Sequence, residues 1–415
     1  MTNFEQSTLV ILMSSAFLIT IAWLLLLKPV AIKIGLTDKP GVRKQHNGDI
    51  PLIGGLAIYL CMVYFILVES KLTTINIGFL TATTLIIGTG LIDDFKNLNL
   101  KLRFFAEIVA ILIMIKWGGI EITSLGNLIG LGEIQLGLFS TPFTIFAILG
   151  AINAFNMIDG INGLAGGISL IIYFILGLLF VTTHYTNPLL LCTMLAAATT
   201  AFLLFNLPVK ASVFLGDAGS MMLGFTISVL IISASQGDHK IITPVTALWL
   251  IAIPLLDTLT LMLHRRNYGR SPFVADREHL HHLLPITGYG RYTTLGIILV
   301  FSLLLALTGL TLDLVLHAPE WLMFGLFIIA FISYRFIISY TWKMLKVARY
   351  LQKNTHDIER RTSNSRRRLY HRPLAMTDKR LYRKRRTLSD RRYQATAADI
   401  KKFNQSRFHK AYEPN

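Results

Sequence analysis

The chain has 415 residues, 53% of them hydrophobic and only 15% charged, with a mean hydropathy of +0.56. A soluble domain of this size could not hide so much apolar surface, so a soluble fold is excluded and a polytopic membrane protein is expected. The formal net charge of +17 is uneven: about 20 of the 40 Lys and Arg follow residue 348, against some six acids, and the apolar part is nearly balanced.

Apolar runs near 20 residues long, bounded by charge or by Gly, Pro and Asn clusters, predict an all-α protein with about 11 membrane spans. They fall near 8–27, 52–68, 77–92, 104–117, 138–153, 163–183, 188–207, 213–235, 241–263, 295–312 and 321–342, the fourth and fifth being short or interrupted. The first run has no basic segment before it and exceeds a signal-peptide core, so it reads as a retained helix. Cys61 and Cys192 both lie inside apolar runs and support no disulfide or metal argument. Among these spans no internal repeat or inverted duplication of the transporter kind is visible.

The loops at 28–51, 93–103, 206–217 and 264–294 hold about 14 Lys and Arg, whereas those between them hold about three, Lys71, Lys116 and Lys240. Basic loops stay on the cytosolic side, so the N-terminus is expected outside and the C-terminus inside. Trp117 and Trp321 suit an outer aromatic belt, and Trp342 an inner one. Every polar cluster then lies at the cytosolic face. A transporter would place polar residues near mid-membrane.

The first of these loops reads DKPGVRKQHNGDIPLIGG, residues 38–55, in which Arg43, Lys44 and His46 are phosphate-type donors. Ordinary positive-inside charge would explain the arginine and lysine but not the histidine or the PLIGG turn. The third run ends in Asp93 and Asp94, with Lys101 and Arg103 soon after. Adjacent carboxylates at a membrane edge repel, which favours a held proton or a shared cation, as a Mg²⁺ diphosphate site or a general base requires.

The stretch NAFNMIDGINGLAGG, residues 153–167, sets Asp159 between Asn156 and Asn162. An acid at a membrane edge is a functional candidate by default. The glycines at 160, 163, 166 and 167 either let backbone approach a ligand or serve helix packing. In FNLPVKASVFLGDAGSMMLG, residues 205–224, Asp217 opens a helix as a ligand for metal-bound phosphate or as an N-cap, and spacing alone does not separate the two. The longest loop, residues 265–284, offers Arg265 and Arg277 for phosphates, then His279, His281 and His282. No cysteine accompanies the histidines, so donation to a diphosphate or proton relay is favoured over zinc.

Taken together, DKPGVRKQHNGDIPLIGG, LIDDFKNLNLKLR, NAFNMIDGINGL, FLGDAGSMMLG and DREHLHHLL resemble, in this order, the polyprenyl-phosphate N-acetylhexosamine-1-phosphate transferases. The last motif is similar to the WecA- and TagO-like branch, which uses UDP-N-acetylglucosamine. The resemblance implies a Mg²⁺-dependent reaction, with Mn²⁺ as a substitute, of a UDP-N-acetylhexosamine with a membrane polyprenyl phosphate (undecaprenyl phosphate in bacteria). The products are polyprenyl-diphosphate-sugar and UMP, the initiating step of a cell-envelope glycan such as O-antigen. It further implies Asp93 as base on the lipid phosphate with Asp94 beside it, Asp217 and Asp94 as metal ligands, and Asn156 and Asp159 on the nucleotide side. His279, His281 and His282 would lie near the diphosphate, and Lys101 would bind substrate.

The family carries a second acid where this chain has Asn162. An amide can accept from uracil N3–H and donate to a uracil carbonyl, so Asn162 is expected to read that edge, with Asp tolerated in its place. A covalent aspartyl-phosphate and direct attack by the lipid phosphate both remain open, with a bound metal favouring the direct route.

The chain divides at about 345 into a membrane catalytic domain, 1–345, and a basic, disordered cytosolic tail, 346–415. Adhesion of the tail to anionic inner-leaflet lipids is expected; nucleic acid is not. Homodimer formation is left open. Two rival readings are a lipid-linked sugar transporter or flippase, and an inactive membrane scaffold. The expected location is the bacterial cytoplasmic membrane, with the site facing the cytosol.

Overall fold

The computed structural model describes residues 3–39, 48–68, 73–183, 186–208, 211–237, 240–267, 269 and 279–370; side chains are described within 7–345, that of residue 186 apart. Each predicted apolar run falls on a helix, because backbone without water around it must satisfy its own N–H and C=O groups. The order is α1 (Asn3–Ile34), a two-residue antiparallel pair β1 (Thr37–Asp38) and β2 (Ile50–Pro51), α2 (Gly54–Val68), α3 (Thr74–Lys96) and α4 (Leu100–Gly118). There follow α5 (Ser140–Ile158), α6 (Leu164–Thr182), α7 (Thr186–Asn206), α8 (Gly216–Ser235), α9 (Pro244–Leu250) and α10 (Ala252–Asn267). The last are α11 (Leu280–Ile286), α12 (Arg291–Leu310), which ends in a π turn, and α13 (Glu320–Tyr370).

Among the described residues, eight helices are long and apolar enough to cross a membrane, or nine if α9 and α10 form one broken span. The difference from about 11 lies in three irregular members. Helix α2 has 15 residues, and α4 carries Lys101, Arg103, Glu107 and Lys116. Helices α9 and α10 meet at 81°. Pro254 accounts for the break: a continuous helix would drive its ring into the carbonyl of Leu250, where α9 stops.

Helix α8 is the centre of the bundle, packed against α2, α3, α5, α6, α7 and α9 and buried along nearly its whole length. Small residues make this possible. A Cβ on Gly219 would meet the Cα of Gly55 in α2 at 2.8 Å, and one on Gly224 would meet the Cα of Ile152 in α5 at 2.8 Å. Such close crossings substitute dispersion contacts for a hydrophobic driving force that lipid does not supply. Large apolar side chains such as Leu18, Phe146, Phe174 and Ile329 face outward, as suits a lipid surround.

At one end the loops are sewn together. Leu52 bridges Phe214, and the N–H groups of Gly54 and Gly55 donate to the carbonyls of Phe214 and Leu215. Tyr292 Oη donates to the Leu207 carbonyl at 2.9 Å. The opposite end is tied by Gln236, whose Oε1 accepts from the N–H of Thr123 and Ser124, and by Asp313, which accepts from Thr243 and Thr246.

Two units divide the chain, Met1–Lys343 and Met344–Asn415. Helix α13 extends to Tyr370, into the segment read from the sequence as the tail. The stretch 346–370 has no Gly or Pro and is rich in Arg and Lys, whose straight side chains lose little freedom in a helix.

Candidate active site

Asp93 and Asp94 are consecutive on α3, so their side chains leave the helix about 100° apart. Asp94 reaches across to α8: Oδ1 accepts from Asp217 N at 2.9 Å and Oδ2 from Ala218 N at 3.2 Å. The N-cap position of α8 is Leu215, which offers no side-chain acceptor. Asp94 thus satisfies in trans the orphan amides that a cap residue would hold. Ligation of a cation by Asp94 would have to use the remaining lone pair of each oxygen.

Asp93 turns the other way. Its Oδ1 accepts from Leu98 N at 2.7 Å and its Oδ2 from Arg103 Nη1 at 3.3 Å. Asn97, left-handed at φ 50°, ends α3, and Asn99 caps α4 through Lys101 N, so a three-residue turn carries Arg103 back to Asp93. Arg103 Nε donates to Glu107 Oε1 at 3.0 Å and Nη2 to Asn153 Oδ1 at 3.3 Å. Each of the paired acids thus has its own set of donors, Leu98 N and Arg103 on Asp93 and the two α8 amides on Asp94.

Asp217 is the second residue of α8, not its cap. Asn156 Nδ2 donates to Asp217 Oδ1 and to Ser220 Oγ, both at 3.0 Å, fixing the carboxylate against the end of α5. Asp159 occupies the C-cap of α5, where burial, then the carboxylates of Asp217 and Asp94, push its pKa up to about 7. The carboxylates of Asp217 and Asp94 stand near enough to Asp159 to act on its charge, and carboxylate oxygens are the hard donors that a Mg²⁺-like cation takes. The three are not gathered as tightly as the Asp257 group described below.

The four glycines divide. Gly160 lies under the imidazole of His281, which a Cβ there would strike. Gly163, at φ +86°, faces Leu207 and Leu295; Gly166 faces Phe202 and Leu203; Gly167 faces Leu299. The last three serve packing, so ligand approach, one of the two readings of the run, is not what they are for.

Asn162 donates from Nδ2 to the Asn206 carbonyl at 3.0 Å, and Asn206 Nδ2 donates in turn to the Val213 carbonyl at 3.0 Å. The amide expected at uracil already locks the 159–163 turn to the end of α7. This reverses the expectation for an acid here, because a carboxylate would set an acceptor against a carbonyl. Asn162→Asp is expected to cost about 1–3 kcal/mol of stability, read as a lowered Tm in detergent, with KM for UDP-sugar changed less than by Asn156→Leu.

The histidine loop returns over this turn. His279 precedes α11 and His281 lies within it, both buried, with their rings stacked 5.3 Å apart; His282 lies 4.3 Å from His281. Burial first, then the neighbouring His282 and His279, pull the His281 pKa down to about 3, so it is neutral at ordinary pH. His279 Nδ1 lies 2.8 Å from Asp257 Oδ2. Among the described residues, Asp257, His279 and His281 form the one compact three-donor set, all ligand atoms within 4.8 Å. Arg265 is buried in the last turn of α10, and Lys101 is exposed in the first turn of α4. Arg43, Lys44, His46 and Arg277 lie outside the described residues.

Sequence reasoning passed over Asp257, Glu107, Asn153 and Tyr334. A signal existed for the first two, since each is an acid inside an apolar run. None existed for Tyr334, one of several tyrosines in outward-facing helices.

Fold and site together define a multi-pass, all-helical membrane enzyme with its carboxylates, amides and imidazoles gathered at one end of the bundle. Residues 76–235 match the family described as Glycosyl transferase family 4. An undecaprenyl-phosphate alpha-N-acetylglucosaminyl 1-phosphate transferase of Yersinia pestis is 36% identical over 351 residues, 84% of this chain and 95% of the relative. Proteins of the same description from Salmonella typhi and Haemophilus influenzae are 37% and 34% identical, over 84% and 81% of this chain and 95% and 96% of their own lengths. The chain belongs to this family of membrane transferases.

Proposed function

We propose that the chain transfers N-acetylglucosamine 1-phosphate from UDP-N-acetylglucosamine to undecaprenyl phosphate at the cytosolic face of a bacterial inner membrane. An oxygen of the lipid phosphate forms a bond to the β-phosphorus of the donor, the bond from that phosphorus to the bridging oxygen breaks, and UMP leaves with the electron pair. The observation that carries this reading is the meeting of Asp217, Asn156, Asp159 and the His279–His282 segment at one end of the bundle, built from the motifs on which the resemblance rests.

In this reading Asp217, with Asp159, holds the cation, and Asn156 fixes the Asp217 carboxylate. A bound Mg²⁺ supplies charge neutralisation between two phosphates that would otherwise repel. Asp93, already accepting from Arg103, takes the role of base or anchor toward the lipid phosphate. Asp94 holds the amino end of α8 in register. Lys101 offers positive charge toward the phosphates, the role that the sequence reading also gives to Arg43, Lys44, His46, Arg265 and Arg277.

The test is release of UMP from UDP-N-acetylglucosamine by purified protein in detergent with undecaprenyl phosphate and Mg²⁺. Formation of lipid-diphosphate-sugar in parallel is expected. Transport of preformed lipid-linked sugar without UMP would sustain the flippase reading, and neither activity would leave a scaffold.

The basic segment after 345 is assigned to the anionic membrane surface, each basic residue near it contributing about 1 kcal/mol. Ending the chain after residue 350 is expected to leave turnover in detergent within about twofold. In nanodiscs the intact tail should resist trypsin only with anionic lipid and low salt. Loss of turnover by folded, truncated protein in detergent would place the tail in the active site instead.

A further inference from the structure

Asp257 is 2% exposed and sits in α10, inside a run that otherwise carries no ionisable side chain until His264. A carboxylate in such a place persists only where donors converge on it. Here three do, from three directions. His279 Nδ1 lies 2.8 Å from Oδ2, while Leu280 N donates to Oδ1 at 3.2 Å and Tyr334 Oη, from α13, donates to Oδ1 at 2.8 Å.

We propose that Asp257, itself held by Tyr334, is the positioning residue that fixes the tautomer and orientation of His279 for phosphoryl transfer. This rests on the function proposed above. An ionised carboxylate only accepts, so the hydrogen bond places the proton on Nδ1 and leaves Nε2 as the ring nitrogen able to exchange a proton or hydrogen bond with substrate. Leu280 N makes the same carboxylate a clasp on the start of α11. The next histidine, His281, stacks on His279 and rests on Gly160, so the clasp also sets the histidine segment against the turn that holds Asp159.

The same three groups, Asp257, His279 and His281, are close enough to suggest a metal centre. Asp257 argues against it. Both its oxygens are engaged by hydrogen-bond donors, and a metal on His279 Nδ1 would have to displace the proton that the short Asp257 contact uses.

The experiment uses the full chain in detergent, labelled with ¹⁵N-histidine and free of substrate, with the His279 signal identified by its loss in His279→Gln. Wild-type protein is expected to show His279 protonated on Nδ1. In Asp257→Asn, whose amide can donate, the other tautomer should gain population. Turnover in Asp257→Asn should fall by about 10²–10⁴-fold, as when an acid–base group is lost, with KM for UDP-N-acetylglucosamine within about threefold. Asp257→Glu should recover part of kcat, and Tyr334→Phe should lose about threefold to tenfold, one hydrogen bond's worth.

Wild-type kcat in folded Asp257→Asn, or an unchanged His279 tautomer, overturns the proposal. If Asp257→Asn does not fold, Tyr334→Phe decides it, wild-type kcat again being the contrary result. Stoichiometric Zn²⁺ binding that Asp257→Asn removes, with inactivation on its chelation, overturns it in favour of a metal centre. Absence of UMP release by the wild-type chain would reject the transfer reaction alone, since the tautomer measurement needs no substrate.

Discussion

Replacing Asp217 with asparagine is expected to lower kcat by roughly 10²–10³-fold, about 3–4 kcal/mol of barrier, while leaving the fold intact. The fold should survive because the anchoring bonds do not need the charge. The asparagine oxygen can still accept from Asn156 Nδ2, and the residue's own N–H still donates to Asp94 Oδ1. What is lost is the negative charge and the hard oxygen it offers to a cation. In the same assay, EDTA should abolish wild-type turnover, with Mg²⁺ or Mn²⁺ restoring it. Steady-state kinetics on monodisperse variant protein, with thermal unfolding as the fold control, are the required measurements. Near-wild-type turnover in Asp217→Asn, or full turnover in EDTA, removes this residue from the cation site.

That result would test a residue whose importance could be read from the sequence but whose surroundings could not. The helices were legible because lipid leaves the backbone one way to satisfy itself, but the break before α10 was missed, because the run at 241–263 reads as one span despite Pro254. The capping of α8 by Asp94 was not legible either, since it depends on α3 and α8 crossing closely enough at Gly90 and Ala218 for a side chain to reach the amides. The glycines misled in part for the same reason: a glycine beside a ligand and a glycine beside Leu299 have the same letter. Asp257 is different. The rule that drew notice to Asp159, an acid at or inside an apolar run, applies to Asp257 with greater force, and only its separation of 22 residues from His279 hid the pairing.

The buried network around Arg103 separates stability from catalysis. Glu107 is fully buried in α4, and Arg103 is the opposing charge beside it. Arg103→Met removes that charge and strands both Glu107 and Asp93, which is expected to cost about 3–5 kcal/mol, the penalty for an uncompensated buried ion. Adding Glu107→Met should restore most of the lost stability, because a buried pair can often be exchanged for well-packed apolar side chains at little net cost. Activity should not return with it. Asp93 would still lack its bond from Arg103 Nη1, and Asn153 its bond from Nη2, so the carboxylate proposed to act on the lipid phosphate would be held by Leu98 N alone among these contacts. Thermal unfolding in detergent and UMP release, measured on the two single variants and the double variant, give both quantities. A double variant as unstable as Arg103→Met would mean that Asp93, not Glu107, is the stranded charge. A stable double variant with wild-type turnover would show that the network only supports the fold, and would take Asp93 out of the reaction.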